Sequence, residues 1–450
     1  MEPNDLLTKY DRLVPRYTSY PSAPHFSAAV TPADYAGWLR ALPPDAPLSL
    51  YLHVPFCASL CVFCACHTTV VNQLAPLKAY ADTLLMEIDL IARTIGRRQN
   101  VQHIHWGGGT PTSLPPTAML DIMGRLRGFF DVSDDAEIAV EIDPRTLSDA
   151  SLDALTAMGT TRASLGVQDF DPAVQQAIHR HQDLALTARC AARLRAAGIG
   201  SLNLDLIYGL PHQTVAGLRT TIEQALTTRP DRVAVFGYAH VPWMKKHQTL
   251  IPEAALPGRA ERYAQREAAE EAIAAAGYIP IGLDHFALPT DELARAAADH
   301  RLKRNFQGYT TDSAPILLGL GASSIGSLPE GYVQNHPAVP AWRDAVRAGT
   351  VPVARGIALT EDDRLRRDVI GQIMCDFAVD LAAVAERHGA NPTSLMDAAP
   401  ALQEMARDGL IDWDGFSLTV TPAGRPFVRN VAAAFDTWLR PGAARHSAAV

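Results

Sequence analysis

Apolar and polar positions along this chain fall into a repeating pattern. A short run of strand formers is followed by a stretch with apolar residues every three or four positions. "LSLYLHV" (48–54) alternates and is rich in residues that favour strands. "VQHIHW" (101–106), "EIAVEID" (137–143), "RASLGVQ" (162–168), "SLNLDLIYGLP" (201–211) and "RVAVFGY" (232–238) continue the series. Between them, "LKAYADTLLMEIDLIARTI" (77–95) and "TVAGLRTTIEQALTTRP" carry the helical period. "TARCAARLRAAG" does so too and closes on Gly198, a residue suited to ending a helix. Strands alternating with helices predict a parallel sheet. Right-handed crossovers would curl it. The expected fold class is therefore α/β, a partial (β/α)6 TIM-like barrel.

Beyond about residue 350 the period changes. "TEDDRLRRDVIGQIMCDFAVDLAAVAERHG" predicts two helices, and "LIDWDGFSLTV" a hairpin turning at Asp414-Gly415. Together they suggest a small helical, winged-helix-like domain. With nothing basic to mark a recognition helix, it is expected to act as a lid or packing domain. The expected organisation is an N-terminal segment over 1–47 covering the barrel mouth, a catalytic domain over 48–350, a C-terminal helical domain over 351–440, and a flexible tail over 441–450.

In parallel α/β folds, function sits at the C-terminal ends of the strands. The chemistry-bearing motifs fall there. A cysteine cluster follows the first strand and "GGGTP" the second. Glu141 ends the third, Gln168 the fourth, Asp205 lies late in the fifth, and Ala239 follows the sixth.

Composition narrows this picture. Apolar residues make up 48% of the 450-residue chain and charged residues 20%, enough for a sizeable core and too little charge for global disorder. Forty Lys and Arg against 48 Asp and Glu give a net charge of −8, so neither nucleic acid nor an anionic membrane is an expected partner. No run approaches the ~18 apolar residues of a membrane span. The start of the chain, "MEPNDLLTKYDRLVPRYTSYPSAP", has no apolar core of a signal peptide. The expectation is a cytoplasmic protein for which a monomer suffices.

Four of the six cysteines lie within "CASLCVFCAC": Cys57, Cys61, Cys64 and Cys66. In a reducing compartment such a cluster points to a metal or redox site rather than to disulfides. A loop this tight can wrap three thiolates around one cubane iron–sulfur cluster. A structural zinc site is the other reading, although zinc usually draws on two separated pairs. Cys190 and Cys375 sit in helical apolar patterns and are expected in the core.

The spacing Cys57-x3-Cys61-x2-Cys64, with Phe63 before the third cysteine, resembles the signature of radical S-adenosylmethionine enzymes. That resemblance implies a 4Fe–4S cluster on Cys57, Cys61 and Cys64, with the open iron chelating S-adenosylmethionine and a 5′-deoxyadenosyl radical as the product of its cleavage. "GGGTP" resembles the loop that meets the methionine moiety. Cys66 in "CVFCAC", with "PRYTSYP", "HWGGGTPT", "EIDPR", "GVQDF", "NLDLIYGLP", "RNFQGYTT" and "IMCDF", is similar to the oxygen-independent coproporphyrinogen III oxidases (coproporphyrinogen dehydrogenases).

The family pattern implies that Tyr51, Gly108, Glu141 and Ile325 contact the cluster-bound S-adenosylmethionine. It implies that Phe63, Gly109, Thr110, Gln168, Arg180, Asp205 and Ala239 contact a second one. Cys66 is a candidate for a role in turnover rather than ligation. The reaction implied is anaerobic oxidative decarboxylation of two propionates of coproporphyrinogen III to vinyl groups, giving protoporphyrinogen IX. An electron donor such as flavodoxin or ferredoxin is implied as a partner. Arg16, Lys245, Lys246, Lys303 and Arg304 are candidates for the substrate carboxylates by type and location. Two alternatives share the scaffold: a haem chaperone, whose members usually lack the fourth cysteine and "PRYTSYP", and a radical methyltransferase using two S-adenosylmethionine molecules.

Overall fold

Each of the six apolar runs forms a strand. In the computed structural model, which describes residues 3–439, they are β1 (Leu48–Val54), β2 (Asn100–Gly108), β3 (Asp131–Ile142), β4 (Arg162–Gln168), β5 (Ser201–Tyr208) and β6 (Arg232–Gly237). They pair in chain order and all in parallel, through Tyr51↔His105, Trp106↔Val140, Glu141↔Ser164, Gly166↔Asp205 and Tyr208↔Gly237. This register brings the ends carrying the motifs to one mouth. β3 starts six residues before its alternating stretch, because polar Asp131 and its neighbour Val132 pair with Asn100 and Val101. β5 stops at Tyr208, where Gly209 turns the chain at φ +84°.

The sheet extends past the six strands on both sides. Ile316–Leu320 pairs in parallel with the free edge of β1, and three antiparallel strands, Ile325–Leu328, Gly331–Asn335 and Val353–Ala358, follow it. His285–Ala287 runs antiparallel along β6. The two ends of this sheet do not pair with each other. The separate hairpin Lys303–Asn305/Gly308–Thr310 helps line the lumen, a cavity of about 150 Å³ shared with β1–β6. These short segments carry too few residues to show a period.

Helices α1 (Leu74–Ile95), α2 (Pro116–Phe129), α3 (Asp149–Met158), α4 (Leu184–Ala196) and α5 (Val215–Leu226) return between the strands. The main core joins strand residues such as Leu50, Trp106 and Leu204 to helix residues such as Ile88, Ile122 and Ile222. Each large apolar side chain so buried contributes roughly 1.5–3 kcal/mol. Cys190 and Cys375 are buried, as their helical patterns require.

A second core unites the two ends of the chain. Leu6, Tyr10, Val14, Tyr17 and Tyr20 pack with Val369, Ile373, Leu402, Phe427 and Phe435. The last five come from a unit of helices, including α6 (Glu361–Asp376), and a three-stranded antiparallel sheet. That sheet contains the expected hairpin, Ile411–Trp413 against Ser417–Val420. Thr360 and Asp363 form a reciprocal cap at the start of α6. Arg429 donates to the Pro15 carbonyl at 3.0 Å and also to that of Val14. Arg16 donates to the carbonyl of Gly237 at the end of β6 (3.0 Å). The tail expected over 441–450 lies outside the described residues. Among those described, no helix is long and apolar enough to cross a membrane.

Candidate active site at the barrel mouth

The cysteine loop leaves β1 and is held at both ends. Phe56–Cys57 pairs with Thr69–Val70, and the Thr69 N–H donates to Pro55 O (2.8 Å). Its middle is held by long-range donors. The Val62 N–H reaches Ile178 O (3.1 Å), Gln248 Nε2 reaches Phe63 O (2.7 Å) and Lys245 Nζ reaches Cys66 O (2.8 Å). His247 Nε2 lies 2.6 Å from Cys64 O. All six cysteines are free thiols. Cys61 is buried, Cys57 and Cys64 are half-buried, and Cys66 is exposed.

Donors are aimed at two of these sulfurs. Thr110 Oγ1 donates to Cys57 Sγ (3.6 Å), while Arg145 Nη2 (3.6 Å) and Arg180 Nη1 (3.5 Å) donate to Cys61 Sγ. Asp143 fixes both arginines, accepting from Arg145 Nη2 at 2.6 Å and facing Arg180 at 3.5 Å. Burial pushes the Asp143 carboxyl up, but the two arginines outweigh it and hold it below its usual value. Such N–H and O–H donors suit thiolates sharing charge with a cluster. Among the described residues no three His, Cys, Asp or Glu side chains converge as one ion would require. Three free thiols from one loop, two of them facing N–H and O–H donors, are the ligand chemistry that an iron–sulfur cluster takes.

The glycine turn lies against both the loop and Glu141. Gly108 adopts φ +111°, and a Cβ there would sit 2.5 Å from the His53 ring. A Cβ on Gly109 would sit 2.5 Å from Phe56 O. The turn can therefore approach the cysteine loop only without side chains. The Gly108 N–H donates to Glu141 Oε2 (3.0 Å), and His105 Nε2 lies 3.1 Å from Oε1. Burial pushes the Glu141 carboxyl up, but His105 and this N–H outweigh it, so Glu141 stays ionised below the usual carboxylate range. Tyr51 stands beside this group with its hydroxyl 2.9 Å from His53 Nδ1. Ile325 reaches the same side through Gly319, the β1 partner of Tyr51, where a Cβ would lie 2.7 Å from the Ile325 backbone.

Across the mouth, Arg180 donates to Gly166 O (2.6 Å) and Gln182 Oε1 (3.2 Å), and Gln168 ends β4 at φ +73°. Asp205 accepts from Ser164 (2.9 Å) and Asn203 (2.8 Å), and burial raises its pKa. Ala239 and Phe63 meet through Gln248, which donates to both carbonyls. The residues singled out from sequence thus gather around one mouth. Sequence reasoning passed over their supports: His53, His105, Asp143, Arg145, Ser164, Asn203 and Gln248. Asp143 and Arg145 stand inside "EIDPR", so the motif held the signal, but their contact with Cys61 spans the fold.

Comparison with known proteins gives a consistent picture. Residues 51–225 match the Radical SAM superfamily and residues 359–427 the HemN C-terminal domain. The oxygen-independent coproporphyrinogen III oxidase of Bradyrhizobium diazoefficiens is 51% identical over 447 residues, covering 99% of each chain. That of Paracoccus denitrificans is 44% identical, covering 98% of this chain and 97% of its own. The solved coproporphyrinogen III oxidase (HemN) from Escherichia coli, described as a radical SAM enzyme, superposes with a TM-score of 0.90 at 38% identity, over 95% of this chain and all of its own.

Proposed function

Because the chain belongs to the oxygen-independent coproporphyrinogen III oxidases of the Radical SAM superfamily, we propose that Cys57, Cys61 and Cys64 hold its 4Fe–4S cluster and that Cys66 does not. The reaction is the oxygen-independent oxidative decarboxylation of two propionates of coproporphyrinogen III to vinyl groups, giving protoporphyrinogen IX in haem biosynthesis. When bound, the cluster supplies one electron and S-adenosylmethionine the 5′-deoxyadenosyl group that takes a hydrogen from the carbon β to the carboxylate.

The chain's own residues position and shield. The arginines on Cys61 and the hydroxyl on Cys57 stabilise negative charge on sulfur. In our reading Tyr51, Gly108, Glu141 and Ile325 hold the cofactor at the cluster. Glu141, already ionised, keeps lone pairs for an ammonium or ribose hydroxyls. We assign Phe63, Gly109, Thr110, Gln168, Arg180, Asp205 and Ala239 to a second S-adenosylmethionine. Residues 1–47 and 351–440 act as the cover over the catalytic region, 48–350, and keep water from the reacting carbon. The reductant in this reading is a small electron carrier such as flavodoxin or ferredoxin, and the enzyme works as a cytoplasmic monomer.

The observation that carries the site assignment is the trio of free thiols at the mouth, two of them facing donors 3.5–3.6 Å away. Anaerobic reconstitution with iron and sulfide, then assay with S-adenosylmethionine, a reductant and coproporphyrinogen III, tests it. Two carbon dioxide molecules per protoporphyrinogen IX are expected. Tight haem binding without carbon dioxide would mark a haem chaperone. S-adenosylhomocysteine and a mass gain on the acceptor would mark a methyltransferase.

A further inference from the structure

Beside the mouth, a group of arginines has no part in the chemistry described so far. Four separate pieces of chain supply them. Arg16 comes from the N-terminal segment, Arg262 from helix Arg259–Ala275, Arg304 from strand Lys303–Asn305 and Arg429 from helix Val428–Ala433. They meet at the ends of β5 and β6. Arg16 donates to Gly237 O (3.0 Å), Arg262 Nη2 to Tyr238 O (3.1 Å), and Arg304 Nε to the carbonyl of Arg16 (3.3 Å).

Positive charge outweighs negative charge here. The carboxylate facing Arg16 and Arg304 is Asp284, whose Oδ1 lies 3.7 Å from Arg304 Nη1, beyond hydrogen-bond length. Burial and then the neighbouring arginines push Arg429 down to about 9 and Arg16 in the same direction. Arg304 Nη1 and Arg262 Nε are buried without a hydrogen-bond acceptor. Arg304 is ion-paired with Asp284, yet these two N–H donors keep hydrogen-bonding capacity that the oxygen of a ligand would fill. The Arg304 side chain is only 4% exposed, and its guanidinium lies 4.4 Å over the Tyr309 ring, which fixes the plane of its donors. Arg16 remains accessible to water although protein surrounds it, as in a recess rather than on an outer face.

The recess adjoins the reaction site. His285, whose Nδ1 lies 2.7 Å from Asp284 Oδ1, lines the same lumen as Glu141 and Asp205. Tyr208, which Arg16 and Arg429 both face, lies on the same strand as Asp205. Of the basic residues singled out from sequence, Arg16 and Arg304 meet here, whereas Lys245 is turned to the Cys66 carbonyl.

We infer that Arg16, Arg262 and Arg304 bind the carboxylate of a substrate propionate that survives the reaction. This rests on reading the chain as a coproporphyrinogen oxidase. A propionate that loses carbon dioxide must give up its carboxylate charge, and an arginine pair stabilises that charge. Arginines therefore suit the arms that stay carboxylates.

The test uses Arg16→Gln and Arg304→Gln in the full, cluster-reconstituted chain, with iron content and melting as controls of folding. Each is titrated anaerobically, by porphyrin fluorescence, with coproporphyrin III and with deuteroporphyrin IX, which carries only the two surviving propionates. Both porphyrins are expected to bind about tenfold or more weakly, and by the same factor. Arg16→Lys recovers part of the loss. Unchanged affinity for both porphyrins overturns the recess. Loss confined to coproporphyrin III overturns the assignment to surviving arms. If Arg304→Gln does not fold, Arg16→Gln decides alone, because its side chain is accessible. Wild-type protein that neither binds coproporphyrin III nor releases carbon dioxide from coproporphyrinogen III overturns the oxidase reading itself, a result separate from either of these.

Discussion

Cys61 and Cys66 stand five positions apart in one loop, yet their surroundings differ. Cys61 is buried beneath two guanidiniums, while Cys66 is exposed, with its carbonyl held by Lys245 and its thiol hydrogen-bonded to that of Cys64. Cys61→Ser is therefore expected to lose iron and sulfide on reconstitution, and Cys66→Ser to keep a full complement. Iron and sulfide analysis with electron paramagnetic resonance checks this, and equal loss in both variants would refute the division of roles. At Gly109 even one added methyl is too much, since it would lie 2.5 Å from Phe56 O, next to a proposed ligand. Gly109→Ala is expected to slow 5′-deoxyadenosine formation on the order of 10²-fold, as ångström-scale misplacement of reacting groups does. The clustering of the thiols was legible because all three share one loop. The partners of those thiols were not, because Arg145, Arg180 and Thr110 reach them from other strand ends.

At the scale of elements, α1 carries a carboxyl into the core. Glu87 accepts from the Gly321 N–H (2.7 Å), Asn335 (2.6 Å) and Trp342 (3.1 Å), tying α1 to the turn between Ile316–Leu320 and Ile325–Leu328. Burial pushes its pKa up to about 7 against these donors, from 4.5 when unfolded. Between those values the native state keeps a proton the unfolded state has lost. Stability should thus fall as pH rises through this window and level off above it, by about 3 kcal/mol in all. Urea midpoints from pH 4.5 to 8 would show it, and Glu87→Gln should flatten the trend. An unchanged slope would acquit Glu87. The six parallel strands were legible because each is a continuous apolar or alternating run. The strands beyond them, and the 303–310 hairpin, were not. Short segments have no period, and their places follow from which sheet edge or opening is left to cover.

For the whole molecule, the decisive contact is between its two ends. Arg429 grips the carbonyls of Val14 and Pro15, and Tyr17 donates to Asp436 (3.0 Å). Arg429→Ala removes the charge-assisted bonds to Val14 and Pro15, roughly 3 kcal/mol together. Limited proteolysis should then cut within residues 10–20 faster than in the wild type, while β1–β6 remain protected. No change in the cutting pattern would mean the shared apolar core alone holds the segment. This pairing also has a consequence during synthesis. Tyr17 and Asp436 are separated by 419 residues, so at ~5–20 residues per second about 20–80 s pass between their appearances. Once the sixth strand has been made, the six parallel strands and the three thiols exist while the proposed cover cannot yet assemble. Metal loaded on the ribosome meets an open mouth, whereas metal arriving after release must pass a finished one. The order of the chain on its messenger thereby separates two routes for building the cluster.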